Sequence, residues 1–164
     1  MKRIGLISDT HGYLHPGIAE FFSNVDEIWH CGDIGTLETA EKLEKMKKFR
    51  AVYGNIDGQD IRRQYPEWLS FSCEDVKVLM THIGGYPGRY DARALQRILE
   101  DKPRLFLCGH SHILKVIYDK KHELLHINPG AAGKFGSHHL ITFVRFVIDG
   151  DNIRNLEISE NPRR

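Results

Sequence analysis

Apolar residues fall in short runs along the chain, and each run stops at a polar, glycine-containing break. Ile4-Gly5-Leu6-Ile7 reads as a buried strand that delivers Ser8 to Gly12 onto a loop. Residues 16–23 follow with helical character, opening on Pro16 in the first turn. Ile28-Trp29-His30-Cys31 is a second strand that ends at Gly32-Asp33. From Thr36 to Lys48, Leu37, Ala40, Leu43 and Met46 recur at helical spacing, with Gly35 or Thr36 as the start signal. Ala51-Val52-Tyr53 is a third strand, stopped by Gly54-Asn55. Strand, loop and helix in repeated order predict parallel strands joined by crossover helices.

The later part of the chain changes character. Strands are expected at 76–81, 105–108, 114–118, 124–128, 139–148 and 152–158, with one helix at 91–100. Hairpin turns are expected at Asp119-Lys120-Lys121 and at Asp149-Gly150-Asp151, the second carrying a strong Asp-Gly signal. The pattern predicts an α/β fold, two packed mixed β-sheets flanked by helices, in a single domain over 1–164. Residues 161–164 are expected to form a frayed tail.

Composition narrows the class of protein. At 164 residues, 41% hydrophobic and 27% charged, the chain is ordinary for a globular domain. A formal net charge of +1 provides no global field toward nucleic acid or membrane, and no extended nucleic-acid surface is evident. Three scattered cysteines, Cys31, Cys73 and Cys108, fit reduced thiols better than a disulfide framework. The polar break at Ser8 interrupts the N-terminal apolar run too early for a secretory core, and no run approaches a membrane span. A cytoplasmic location is the expectation.

Five polar clusters sit where the apolar runs end: Asp9-Thr10-His11, Gly32-Asp33, Gly54-Asn55-Ile56-Asp57, Thr81-His82 and Gly109-His110-Ser111-His112. Each supplies carboxylate, amide or imidazole groups of the kind divalent metals take, and strand ends on one edge of a sheet converge in space. Singly these clusters are weak signals, since a strand-end Asp is usually a turn or cap residue. Their joint occurrence in this order is what carries weight.

The five clusters resemble the calcineurin-like metallophosphoesterase superfamily, whose motifs run Asp-x-His, Gly-Asp, Gly-Asn-His-Asp/Glu, His and Gly-His-x-His. Length and later strands look most like its small single-domain phosphodiesterase branch in bacteria and archaea, and Asn128-Pro129-Gly130 echoes a turn common there. The resemblance, which covers Ile4 to about Ile158, implies that Asp9, His11 and His112 hold one divalent ion. It assigns Asn55, His82 and His110 to a second and makes Asp33 the bridge. Manganese is the first expectation; zinc, iron, cobalt, nickel or magnesium would also suit such ligands. A hydroxide shared by the two metals would attack phosphorus in line, with Asp33, Asn55 and His82 organising metal and phosphate. The expected substrate is a small phosphodiester, nucleotide-derived in one version, and a homo-oligomer fits the resemblance.

One position departs from the family pattern. Ile56 stands where most members carry a histidine that serves as general acid or phosphate contact. The small phosphodiesterase branch often lacks this histidine too, which favours diesters over monoesters. His138 or His139 is a candidate replacement, although a polar turn before a strand is the simpler account. Asp57 is left with a structural or supporting role. Cys31, Cys108 and His30 read as packed residues, and His15, His122 and His126 need no function. Tyr86, Arg89 and Tyr90, in the glycine-rich stretch after His82, could form a loop over substrate. Lys42, Lys45, Lys47 and Lys48 read as a solvated helix face. The competing class is a protein-interaction scaffold, because the superfamily includes a retromer subunit with degraded metal sites. A nucleotide-binding regulator without turnover is a third reading.

Overall fold

A computed structural model describes residues 1–163. Its elements are β1 (Lys2–Ile7), α1 (Ile18–Phe21), β2 (Glu27–His30), α2 (Leu37–Met46), β3 (Lys48–Ala51), α3 (Gln59–Gln64), β4 (Trp68–Cys73) and β5 (Val76–Thr81). They continue with β6 (Gly85–Tyr86), β7 (Arg89–Tyr90), α4 (Ala92–Asp101), β8 (Leu105–Leu107), β9 (Leu114–Asp119), β10 (Leu124–Pro129), β11 (Leu140–Asp149) and β12 (Asn152–Pro162). One five-stranded sheet runs β12-β11-β1-β2-β3, a second β4-β5-β8-β10-β9, and β6 and β7 form a two-stranded sheet. β1, β2 and β3 are mutually parallel, as are β5, β8 and β10, while the remaining strands of both large sheets pair antiparallel. The expected pair of mixed sheets flanked by helices is what forms.

Alternation of side chains explains the layers. Ile4 and Leu6 of β1, Val78 and Met80 of β5, Leu105 and Leu107 of β8, and Val144 and Phe146 of β11 share one buried cluster between the sheets. The opposite-facing positions bury against helices instead. Ile7, Ile28 and Phe143 pack with Ile18 and Leu43 on the outer face of the first sheet. Leu79 and Phe106 pack with Ala94 and Ile98 of α4 on the outer face of the second. Each fully buried large side chain contributes about 1.5–3 kcal/mol relative to exposure. Both helices over these faces are capped, α2 by Thr36 Oγ1 and α4 by the Asp91 carboxylate.

Several expectations shift. The helix expected over 16–23 shrinks to Ile18–Phe21, and the third strand lies at Lys48–Ala51 rather than 51–53. Lys48 and Arg50 are tolerated in that strand because it is a sheet edge, and both reach Glu27 on β2. β4 and α3 were not expected from the pattern. β4 is also an edge strand with half-exposed residues, which blurs its periodicity. Of the tail expected to fray over 161–164, residues 161–163 are instead paired: Asn161 and Pro162 face Ile141 and Leu140, and the Arg163 amide donates to the His139 carbonyl, while Arg164 lies outside the described residues.

Glu27 is the buried charge at the end of the first sheet remote from these strand-end loops. Its side chain accepts from Trp29 Nε1 at 3.0 Å and Arg50 Nε at 3.1 Å, and lies 3.8 Å from Lys2 and 3.9 Å from Lys48. Burial by itself would raise its pKa, but these donors outweigh burial and leave it below the ordinary 4.5. A carboxylate depressed on folding stabilises above its unfolded pKa, and that stability disappears as pH falls through the folded value. Glu27→Gln should therefore lower urea stability at pH 7 by about 1–3 kcal/mol. Its difference from wild type should shrink as pH drops below about 4; a pH-independent difference would contradict this role.

Candidate metal centre

The ends of β1, β2, β3, β5 and β8 release their loops on one edge of the two sheets, and the backbone stitches those loops together. The Asp9 amide donates to the Gly32 carbonyl and the His11 amide to the Asp33 carbonyl, each at 3.0 Å, while Gly109 N donates to His82 O at 2.9 Å. Asp57 is fully enlisted in this stitching, since its carboxylate accepts from the amides of Ile34, Gly35 and Gly54 at 2.8–3.1 Å. Among the described residues nine non-glycine residues have positive φ, and five of them are Asp9, His11, Asp33, His110 and His112. That conformation costs about 1–2 kcal/mol for a non-glycine residue, although Asp and His tolerate it better than most. Its concentration here marks backbone held in place by its surroundings.

The side chains converge accordingly. Asp9 is wholly buried, and its Oδ2 accepts from Ser8 Oγ at 2.7 Å and from the His110 amide at 3.1 Å. Its Oδ1 has no hydrogen-bond donor among the described residues and faces His112 Nε2 at 3.2 Å and both His11 and His82 Nε2 at 3.8 Å. Asp33 Oδ1 accepts from the Ile56 amide at 3.1 Å, while Oδ2 faces His82 Nε2 at 3.2 Å and His11 Nε2 at 3.5 Å. His82 Nδ1 lies 2.8 Å from the Cys31 carbonyl; only N–H can donate there, which directs Nε2 and its lone pair at the carboxylates. Asn55 Oδ1 is 3.1 Å from His110 Nδ1. Two groups of potential ligand atoms result, Asp9-His11-His112 and Asp33-His82-His110, each with its atoms within 4.8 Å of one another. Asn55 adjoins the second group.

Electrostatics follows the geometry. Burial would raise the Asp9 carboxyl, but the imidazoles of His11 and His112 that face it, the charge of His82 and the Ser8 hydroxyl hold it far below the usual carboxylate range. Burial would raise Asp33 and lower His82, yet their mutual contact lowers Asp33 and raises His82. The fit to divalent cations is direct. Asp9 Oδ1, His11 Nε2 and His82 Nε2 are buried polar atoms without hydrogen-bond partners among the described residues, all at one point. Orphaned buried polar atoms are rare and costly, and a cation satisfies carboxylate and imidazole lone pairs at once.

The other candidates separate cleanly. His30 is buried between the Gly32 amide, 3.0 Å from Nδ1, and Thr10 Oγ1, 2.9 Å from Nε2; burial pushes its pKa down to about 3. It is a satisfied core residue. Cys31 and Cys108 are buried thiols that burial pushes upward, Cys108 to about 12, which suits packing. His138 packs edge-on against His112 with ring centroids 5.2 Å apart, and its Nε2 is held by the Gly133 carbonyl at 2.7 Å. His139 is exposed. The glycine-rich stretch after His82 forms the β6–β7 hairpin, where exposed Arg89 and Tyr86 help line a 250 Å³ cavity shared with His110. Two contributors lack a sequence signal strong enough to single them out, Ser8, which holds Asp9, and Phe135, stacked on His11 at 5.0 Å; Asn128, noted in the sequence only as part of a turn, donates from Nδ2 to the Gly109 carbonyl at 3.0 Å.

With that geometry, likeness to known proteins becomes informative. Residues 1–151 match the calcineurin-like phosphoesterase superfamily domain. The chain belongs to that superfamily. A curated relative, a probable metallophosphoesterase of Methanocaldococcus jannaschii, is 33% identical over 134 residues, 78% of this chain and 67% of the relative. The zinc complex of Vps29 from Entamoeba histolytica shares the fold with a TM-score of 0.73 at 16% identity, covering 99% of both chains. A structure described as a novel archaeal phosphodiesterase shares it with a TM-score of 0.72 at 23% identity, covering 96% of this chain and 99% of that one. Family membership and the two ligand groups together support a metal-dependent phosphoesterase. No helix among the described residues is long and apolar enough to cross a membrane.

Gly54 gives a local test of the geometry. A Cβ there would lie 2.0 Å from Asp33 Oδ1 and 2.3 Å from the Asp33 backbone nitrogen. Gly54→Ala should displace Asp33 and weaken metal uptake by at least about tenfold, within the range for disturbed support of a metal ligand. Metal retained after dialysis against a weak chelator reads this out; wild-type retention would contradict the tight fit.

Proposed function

We propose that this member of the superfamily is a phosphodiesterase working with two divalent ions. Asp9, His11 and His112 would hold one, Asn55, His82 and His110 the other, and Asp33 would bridge them. The observation that carries the reading is the convergence of buried Asp9 Oδ1, His11 Nε2 and His82 Nε2, without hydrogen-bond partners among the described residues, beside Asp33 Oδ2. Bound divalent ions would supply a nucleophilic water near neutral pH and Lewis-acid neutralisation of phosphoryl oxygens. The mixed nitrogen and oxygen donors suit manganese, zinc, iron, cobalt or nickel; manganese is the first expectation, and cellular supply would decide among them.

The protein's own groups set the limits of the reaction. Ser8, the His110 amide and the Ile56 amide fix the outer carboxylate oxygens, so Asp9 and Asp33 present their other oxygens without rearrangement. Cys31 fixes His82 in the same way. Ile56 is 47% exposed beside Asp33 and has no proton to give. His138 is engaged at Gly133. Leaving groups that depart without protonation are therefore favoured, and a diester with an acidic alcohol suits the site best. A protein-interaction scaffold is the second reading, favoured by that exposed isoleucine; the complete ligand set weighs against it.

Hydrolysis of bis(p-nitrophenyl) phosphate and p-nitrophenyl phosphate, with manganese and with chelator, tests this directly. Diester turnover should require metal and exceed monoester turnover. Asp33→Ala should lower kcat/KM at least about 100-fold, equivalent to roughly 2.7 kcal/mol. No turnover of either ester by protein shown to carry its metals would move the scaffold reading to first place. Ile56→His should raise turnover of alkyl diesters more than of nitrophenyl diesters, by up to about 100-fold. An equal effect on both leaving groups would argue against a missing acid.

A further inference from the structure

Beside the Asn55 and His82 side of the centre opens a cleft of 260 Å³ whose walls include Tyr53, Arg62, Trp68 and Arg93. None of these residues belongs to the five metal motifs. The volume is below the roughly 300–1,000 Å³ of pockets that enclose a drug-sized ligand, so it suits one arm of a substrate rather than a whole one. Two of its walls are aromatic. The Arg62 guanidinium lies over the Tyr53 ring at 4.6 Å, and Arg93 over the Trp68 ring at 5.6 Å. The Trp68 indole N–H is buried without a hydrogen-bond partner among the described residues.

The two arginines differ in what they have left to offer. Arg93 is neutralised by a two-pronged contact with Glu67 at 2.9 and 3.0 Å. Arg62 carries no carboxylate partner among the described residues. Its Nε donates to the Asp57 carbonyl at 2.6 Å and its Nη2 to the Asn55 carbonyl at 3.2 Å, which ties it to the ligand loop and leaves Nη1 unspent. A guanidinium held in this way, with charge uncompensated, is suited to phosphate oxygens.

We propose that this cleft receives an aryl or nucleobase arm of the diester, and that Arg62 is a substrate-binding residue contacting the oxygens where that arm joins phosphorus. The inference rests on the phosphodiesterase reading, and it names the substrate class as diesters with at least one flat aromatic arm. Arg62 thereby supplies the phosphate contact that Ile56 cannot, as a fixed positive charge that donates hydrogen bonds without giving up its proton.

Binding can be measured apart from turnover, because the chain has two tryptophans and only Trp68 is half-exposed; Trp29 is fully buried. Diphenyl phosphate and dimethyl phosphate carry the same charge and differ in the aromatic arms. Each is titrated into manganese-loaded and chelator-treated protein while tryptophan fluorescence is followed. Diphenyl phosphate should perturb the fluorescence and bind more tightly than dimethyl phosphate. Arg62→Ala should weaken diphenyl phosphate at least about tenfold, the effect of losing a charge-assisted hydrogen bond. Tyr53→Leu should weaken diphenyl but not dimethyl phosphate. Arg62→Lys should recover part of the affinity lost in Arg62→Ala, whereas a residue that only braced the carbonyls of Asn55 and Asp57 would leave both variants equally poor. Equal binding of the two diesters, wild-type affinity in Arg62→Ala, or no recovery with lysine would overturn the assignment. If the cleft binds diphenyl phosphate as stated and the loaded protein hydrolyses no diester, the phosphodiesterase reading fails and the binding assignment stands.

Discussion

Two carboxylates, Asp9 and Asp33, point oxygen lone pairs at imidazole nitrogens of His11, His82 and His112 in a largely buried space, and the rest of the site is organised by that clash. Like-signed lone pairs cannot stay buried together without a positive charge between them. Protons are one answer, which is why His82 binds its proton more tightly than usual despite burial. Divalent cations are the better answer, because each satisfies several donors at once. Uptake of such ions must displace protons, so affinity should rise with pH. The left-handed backbone at Asp9, His11, Asp33, His110 and His112 is held in place by amide stitching between loops.

The sheets exist in the form that makes such crowding possible. Three parallel strands in each sheet end on the same edge, so loops from both sheets converge on one site. Glycines at 54 and 109 then allow backbone to approach side chain at distances no Cβ could share; at Gly109 it would sit 2.1 Å from Ser8 Oγ. The same closeness accounts for Asp57, whose three amide contacts lock the second loop to the third.

Much of this was legible in the sequence because each central strand buries both faces and stops abruptly. Ile4 to Ile7, Val76 to Thr81 and Leu105 to Cys108 read as strands for that reason, and the polar residues after them read as a site. Edge elements were less legible. β3 and β4 carry Lys48, Arg50, Ser70 and Ser72, since one side of each meets solvent, and the apolar rhythm that marks a strand is diluted. Tail pairing at Asn161 and Pro162 was hidden likewise, because β12 is an edge strand whose long-range partner sets its length. Arg62, Tyr53 and Trp68 had no signal at all: they come together only through the turn after β3, the short α3 and an edge strand. The ligand motifs announce themselves by spacing, whereas a substrate cleft is assembled from residues whose local sequence says nothing about one another.

The most direct test of the proposed centre is a calorimetric titration of chelator-treated protein with manganese. The ligand set predicts two ions bound per chain, with proton release and a rise in unfolding temperature on saturation. One ion, or none at concentrations that saturate known sites of this donor type, would contradict a pair of metals bridged by Asp33.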